Sequence, residues 1–179
     1  STDNTEVKLN NKTNPDPEDI VIFKDHYVVI GKKDSVNKLS DLSNKSLGVM
    51  SRDKETIERY LTEYQNIKTK GYSSFEQLES DYRSNSIDYM IIPMYKYLDS
   101  IVKNDYEIIF HVDGLYSYYC IDLPEGNETL SNIFSKFYYR WESTSASKIN
   151  DYFLDIYYTT KNYTEIEKES ITNEDLIVG

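Results

Sequence analysis

LSDLSNKSLGVMSRDKETIERYL, residues 39–61, joins a polar turn, a short apolar run and a helix-like pattern with no spacer between them. The apolar run at 47–50 predicts a short buried strand. Ser51 follows it and is a residue type that N-caps helices, while Asp53 and Glu55 fall in the first turn, where the helix dipole favours acidic side chains. Apolar residues then recur at helical spacing: Ile57, Tyr60, Leu61 and Tyr64. The stretch predicts a strand–turn–helix junction.

The same alternation of strands and helices extends in both directions along the chain. We predict strands over 20–31, 66–72, 87–93, 106–112 and 115–123, and helices over 75–85, 94–104, 128–144 and 147–158. Helices of this length between apolar strands are typical of βαβ crossovers. The predicted fold class is therefore α/β, with a mainly parallel sheet and flanking helices.

Composition restricts the partners and the covalent chemistry. The chain has 179 residues and a formal net charge of -11, which would repel nucleic-acid backbones, so no nucleic-acid partner is expected. The single cysteine, Cys120, cannot form an internal disulfide and lies in a tyrosine-rich apolar run. It is interpreted as a buried structural thiol.

Catalytic chemistry has little support in the sequence, which lacks nucleotide-binding glycine motifs, a nucleophile elbow and a zinc-protease helix motif. His26 and His111 each lie in a strand-like apolar run and are interpreted as structural groups that could meet on neighbouring strands. Asp53, Glu55 and Glu58 are interpreted as a solvated helix face, since no chelating turn surrounds them. We expect no catalytic residue, no metal and no cofactor.

Three segments in this order carry a family resemblance. They are YVVIGKKDSVNKLSDLSNKSLGVMSRDKETIERYL (27–61), SFEQLESDYRSNSIDYMII (74–92) and the strand–helix–helix region 115–158. The first resembles the entry into the second lobe of type II periplasmic or extracellular solute-binding proteins of ABC importers, especially their amino-acid branch. The second is similar to that family's helix–strand unit, and the third is similar to its return crossing. The resemblance covers roughly residues 20–158.

The resemblance implies a domain plan. Residues 1–19 are predicted as a polar linker, 20–112 as the hinge strand and second α/β lobe, and 113–160 as the return crossing with helices of the first lobe. Residues 161–179 are predicted as a polar tail or the start of a following domain. Because only a polar stretch precedes Ile20, half of the first lobe is expected to be missing, as in a fragment of a longer protein.

The resemblance also implies a cleft that closes on a small solute. The N–H groups of the first helical turn, around Ser51 and Arg52, are expected to bind a polar or anionic group, although Asp53 would weaken an anion by repulsion. Pro93 stands where amino-acid-binding members usually carry an acidic residue for the ligand ammonium. Ligands of such sheets lie at strand carboxyl ends, and the predicted cleft residues are accordingly Ser51, Arg52, Asp53, Tyr72, Ser73, Pro93 and Tyr95.

The resulting functional prediction is a non-catalytic solute-binding domain. It is expected to be extracellular or periplasmic, to be a lipoprotein or otherwise membrane-tethered within a longer protein, and to partner a transporter permease or another membrane protein. An alternative is an interaction or scaffold ectodomain that keeps the fold without a working pocket. An enzyme on a related two-lobe fold is a third possibility, since fold alone does not determine function.

Overall fold

A computed structural model describes residues 7–17, 19–33, 35–64, 66–123, 128–144 and 146–161. Six strands are present: β1 Lys8–Lys12, β2 Ile20–Gly31, β3 Ser46–Met50, β4 Lys68–Tyr72, β5 Tyr89–Pro93 and β6 Glu107–Asp122. The α-helices are α1 Lys54–Tyr60, α2 Phe75–Arg83, α3 Leu98–Lys103, α4 Glu128–Thr144 and α5 Ala146–Lys161. Short 3₁₀ turns cover Leu39–Leu42 and Leu61–Glu63.

All six strands form one sheet in the order β1-β6-β2-β5-β3-β4. The three strands β3, β4 and β5 run parallel, as the predicted crossovers require. The pairings β1–β6, β6–β2 and β2–β5 are antiparallel. The α/β class with flanking helices is confirmed, and the sheet is mixed because β1 and β2 run in the direction opposite to β3, β4, β5 and β6.

Local differences from the predicted elements have physical reasons. The segment predicted as a polar linker contains β1, whose polar side chains suit the edge of a sheet. The two strands predicted over 106–112 and 115–123 are one continuous strand, β6. Helix α3 begins at Leu98 rather than residue 94, because the backbone N–H groups of Tyr95 and Lys96 donate to Asp25 instead of entering a helix. The predicted tail, 161–179, lies almost entirely outside the described residues.

Apolar side chains fill both faces of the sheet. Along β2, Val29 joins one core cluster with Ile57 of α1, whereas Val28 and Ile30 point into a second cluster on the opposite face. That second cluster contains Leu78 of α2 and Ile101 of α3. The alternation places β3 and β5 between helices, which is why they are rich in apolar residues, whereas β4 at the edge of the sheet carries two lysines.

The strands β2 and β6 pair with each other on both sides of a boundary and so join two halves of the sheet. β5 pairs with β2 only at residues 27–30, and β1 pairs with β6 only at residues 118–122. One half, which we call the crossover half, contains the strands β3–β5 and the helices α1–α3. It also contains residues 27–31 of β2 and residues 107–112 of β6. The β1 half contains β1, residues 20–26 of β2 and residues 116–122 of β6.

A bulge marks the boundary between the two halves. The pair His26–Tyr116 is followed by Val28–His111, so residues 112–115 of β6 stand opposite one residue of β2. Gly114 within the bulge has a φ of 76°, a conformation that glycine adopts without steric cost. Extra residues of this kind bend a strand and increase its twist. The bulge therefore bends the ladder between β2 and β6 at the boundary of the two halves.

Candidate functional site at the boundary of the two halves

The carboxyl ends of the parallel strands lie along one edge of the crossover half. β3 ends at Met50, β4 at Tyr72 and β5 at Pro93, and the N–H of Ser51 donates to the carbonyl of Tyr72 over 2.8 Å. All seven predicted cleft residues end a strand or follow one within three positions. The structure thus brings them to a common edge, as parallel strands require.

The turn after β3 differs from the predicted helix cap. Helix α1 begins at Lys54, the cap residue is Asp53 in a helical backbone conformation, and no side chain caps the helix. Ser51 is exposed in a turn closed by the Asp53 N–H, which donates to the Met50 carbonyl over 2.9 Å. The prediction that Ser51 caps the helix is therefore wrong. Since α1 has seven residues, its macrodipole is short, and side chains dominate the electrostatics of this turn.

Asp53 is the main buried charge at this edge. Its exposed fraction is 1%, so its interpretation as part of a solvated helix face is wrong, although Glu55 and Glu58 are exposed as predicted. The nearest donors among the described residues, the Tyr27 hydroxyl and the Arg52 Nε, lie close to the Asp53 carboxylate but do not form well-aligned hydrogen bonds with it. The Arg52 Nε lies 3.1 Å from Asp53 Oδ1. Burial raises the pKa of Asp53, and the positive charge of Arg52 opposes that rise.

Three polar side chains surround the Arg52–Asp53 pair. The buried hydroxyl of Tyr27 lies beside Asp53, and the pKa of Tyr27 is raised by burial and then by the Asp53 charge. Arg52 donates from Nη2 to the Oδ1 of Asn11 in β1. The Asn11 Nδ2 in turn donates to the Oγ of Ser117 over 2.8 Å. This polar cluster connects α1 to β1, β2 and β6.

A second cation, Lys96, lies on the turn after β5. The fully buried Asp25 holds this turn, because its Oδ1 and Oδ2 accept the N–H groups of Tyr95 and Lys96, each over 2.9 Å. Burial raises the pKa of Asp25 to about 6, against those hydrogen bonds. The pKa of Lys96 is lowered, first by partial burial and then by the nearby charge of Arg52. The positive charges of Arg52 and Lys96 are thus near enough to interact, and the carboxylates of Asp53 and Asp25 act on the same lysine in the opposite direction.

Four predicted cleft residues make other contacts. The Tyr72 hydroxyl donates to Asp81 over 2.7 Å, and the Ser73 hydroxyl donates to Gln77 over 3.2 Å. Pro93 is buried and pairs with Tyr27 in the sheet. The Tyr95 ring packs on the aromatic rings of Phe23 and Phe153, with centroid separations of 5.4 and 4.7 Å.

Sequence reasoning missed five residues of the polar cluster and its supports: Asn11, Asp25, Tyr27, Lys96 and Ser117. One signal was available, because an aspartate inside the apolar run of β2 has to be paired or hydrogen-bonded. Asn11 gave no signal, since nothing in residues 1–19 predicted that a strand would form there.

An apolar cleft adjoins the polar cluster on the β1 half. Its volume is about 530 Å³, and it lies between the sheet, represented by Leu9, Phe23 and Tyr119, and helix α4, represented by Phe137 and Trp141. No described residue of α4 is buried, and Phe137 is 66% exposed. The cleft therefore extends along an amphipathic helix whose apolar side is only partly covered by the sheet.

The two histidines meet on neighbouring strands and Cys120 is buried, as predicted, but His26 is only half-buried and His111 is exposed. His26 and His111 meet across the hinge strands with a ring-centroid separation of 6.3 Å. The pKa values of both histidines are lowered, chiefly by burial. Cys120 is free and fully buried, which raises its pKa. The part of the chain that the structure describes holds no cluster of three or more metal-ligating side chains.

Sequence comparison finds no family model that matches the chain and no curated protein that matches it. Structure comparison does find similar folds. An amino-acid ABC transporter substrate-binding protein from Streptococcus pneumoniae, bound to L-arginine, is 16% identical with a TM-score of 0.56 and covers 81% of this chain and 62% of its own length. The periplasmic VFT2 domain of BvgS from Bordetella pertussis is 13% identical, with a TM-score of 0.55 and coverages of 81% and 59%.

A third similar structure is a Salmonella typhimurium periplasmic binding protein with high arginine specificity, 20% identical at a TM-score of 0.52, with coverages of 70% and 58%. The chain therefore has the type II solute-binding-protein fold, as the resemblance implied. It spans about three fifths of the length of these three neighbours.

Proposed function

We propose that the protein is a solute-binding domain that takes a small anionic solute at the boundary of its two halves. The observation that carries the proposal is the pair of cations, Arg52 and Lys96, at the carboxyl ends of β3 and β5. Among the described residues, no carboxylate oxygen forms a salt bridge with the Lys96 Nζ, whose recorded contact is the ring of Tyr97 at 5.4 Å. A carboxylate or phosphate could accept hydrogen bonds from both cations, in competition with the carboxylates of Asp53 and Asp25 near Lys96.

The ligand is proposed to differ from the arginine named for two of the neighbours. Pro93 carries neither a charge nor an N–H at the position where the amino-acid branch holds the ligand ammonium. The buried carboxylate of Asp53 is already paired with Arg52. A compact anion such as a dicarboxylate or inorganic phosphate matches Lys96 without needing an acidic partner.

Cellular context follows by analogy with the same neighbours and is part of the proposal. Two of them are named as periplasmic, and one is named as a component of an amino-acid ABC transporter. We propose an extracellular or periplasmic location, membrane tethering within a longer protein as a lipoprotein or otherwise, and a permease or other membrane-protein partner. The neighbours are binding proteins rather than enzymes, which supports a non-catalytic role.

No helix among the described residues is long and apolar enough to cross a membrane.

Calorimetric titration with inorganic phosphate, succinate and L-arginine tests the proposed ligand class. We expect phosphate or succinate to bind and Lys96→Ala to weaken that binding by about 1.5–3 kcal/mol, the contribution of a hydrogen bond to a charged group. Lys103→Ala is the matched control, because Lys103 pairs with Asp99 on the exposed side of α3. Equal affinities in wild type and Lys96→Ala would remove Lys96 from the site.

A second candidate function is an interaction ectodomain, favoured by the apolar cleft and the uncovered α4. The proposed occupant is a further α/β layer of the longer protein, since about two fifths of each cited neighbour has no counterpart here. Trp141 lines the cleft and is the only tryptophan. If a further layer covers Trp141, its fluorescence emission maximum is expected at a shorter wavelength in the longer protein than in the 179-residue chain. Identical emission spectra would show that the cleft stays open to solvent.

A further inference from the structure

Side-chain hydrogen bonds connect the end of β1 with the start of α1 and with β6. Arg52 donates to Asn11, and Asn11 donates to the Ser117 hydroxyl over 2.8 Å and to the Tyr118 carbonyl over 3.2 Å. The hydroxyl of Thr56 donates to that of Thr13 over 3.1 Å. Asn11 and Thr13 belong to the β1 half, whereas Arg52 and Thr56 belong to the crossover half. The bonds from Arg52 and Thr56 therefore cross the boundary between the halves.

The covalent connection between the halves is narrow and includes an irregularity. Besides β2 and β6, no strand has hydrogen-bonded partners in both halves among the described residues. The bulge at 112–115 interrupts the ladder between these two strands at the boundary. Rotation about this point would separate Asn11 from Arg52 and Thr13 from Thr56, because the two members of each pair lie in different halves. The bonds from the N–H groups of Tyr95 and Lys96 to Asp25 also cross the boundary, on the strand β2 that joins the halves.

We infer that Asn11 and Thr13 form a latch that holds the two halves together without any bound solute. The protein supplies its own bridging groups: Asn11 accepts from Arg52 and donates to Ser117, so one side chain connects α1 to β6. The latch depends only on contacts within the chain and therefore stands independently of the proposed function.

Distance measurement between two spin labels tests the latch directly. Labels are attached at Lys8→Cys in β1 and Glu55→Cys in α1, both exposed positions in opposite halves. The native Cys120 is fully buried, so labelling is directed to the introduced cysteines. With no added solute, we expect one narrow distance distribution in the otherwise wild-type protein.

Removing the latch is expected to broaden that distribution and to move its mean by more than about 2 Å, the scale of a domain rearrangement. The variants are Asn11→Ala, which removes the bonds to Arg52 and Ser117, and Thr13→Val, which removes only the hydroxyl contact to Thr56. Asn10→Ala is the control, because Asn10 donates to Asp122 within the β1 half. It is expected to leave the distribution unchanged.

Two results would overturn the latch. One is a broad distribution already present in the wild-type background, and the other is an unchanged distribution in both Asn11→Ala and Thr13→Val. Circular dichroism confirms that each variant is folded before its distances are compared. Failure of phosphate, succinate and L-arginine to bind the wild type would count against the proposed function and would leave the distance result intact.

Discussion

The free energy of unfolding of the wild-type protein is expected to rise relative to that of Asp25→Asn by about 2–3 kcal/mol between pH 7 and pH 4. Asp25 is fully buried and has its pKa raised from 3.8 to about 6. Between pH 3.8 and about pH 6, the Asp25 carboxyl is protonated in the folded chain and ionised in the unfolded chain. The contribution of Asp25 to stability is therefore fully present below about pH 4 and is lost as the pH rises through 6.

Urea denaturation of the two proteins at several pH values measures this difference. Asparagine has nearly the same shape, keeps one acceptor for the turn after β5, and does not titrate. The histidines act in the opposite direction, because their lowered pKa values favour the unfolded state as the pH falls through 6.5. Both proteins contain the histidines, so their effect cancels. If the free energies of unfolding of the two proteins change in parallel with pH, the pKa of Asp25 is the same in the folded and the unfolded protein.

Replacing Arg52 with alanine is expected to lower the free energy of unfolding by about 2 kcal/mol at pH 7. The substitution removes the cation beside Asp53, whose two carboxylate oxygens accept no well-aligned hydrogen bond among the described residues. Breaking a fully buried pair costs about 3–5 kcal/mol. The smaller value applies because the Arg52 side chain is 41% exposed, so water screens part of the interaction.

Two further variants separate this effect from a general loss of surface charge. Asp53→Asn, introduced into Arg52→Ala, is expected to restore more than half of the lost stability, because it removes the unpaired charge. Arg59→Ala breaks an exposed pair with Glu55 and is expected to cost only a few tenths of a kcal/mol. If Arg52→Ala and Arg59→Ala unfold at the same urea concentration, the ion pair between Arg52 and Asp53 does not stabilise the fold more than an exposed pair does.

The order of elements could be predicted because periodicity and propensity agree in the crossover half. The buried strands at 47–50 and 87–93 are apolar on both faces, and the helices after them have apolar residues at helical spacing. The sequence could not predict β1, because KLNNK has no strand-like pattern and forms a strand only by pairing with β6. Similarly, the start of α3 could not be predicted, because it depends on hydrogen bonds to Asp25, which lies about seventy residues before that helix.

The seven predicted cleft residues lie together at the carboxyl ends of the parallel strands, whereas the polar side chains around them were not predicted. Strand order places Ser51, Arg52 and Asp53 there, which is a consequence of parallel topology. Burial of Asp53 and the neighbouring positions of Asn11, Lys96 and Ser117 depend on contacts between distant segments. Such contacts arise from tertiary packing and cannot be read from the spacing of residues in one segment.

The most direct test of the solute-binding claim is an amide NMR titration of the 179-residue chain with succinate and with inorganic phosphate. We expect saturable shifts in the N–H signals of Arg52, Asp53, Lys96 and Tyr97 with at least one of the two anions, and none in β1 residues 8–10. Lys96→Ala is expected to weaken the response. If neither anion shifts these four signals in the folded protein at millimolar concentration, the boundary between the two halves does not bind a small anion and the account is contradicted.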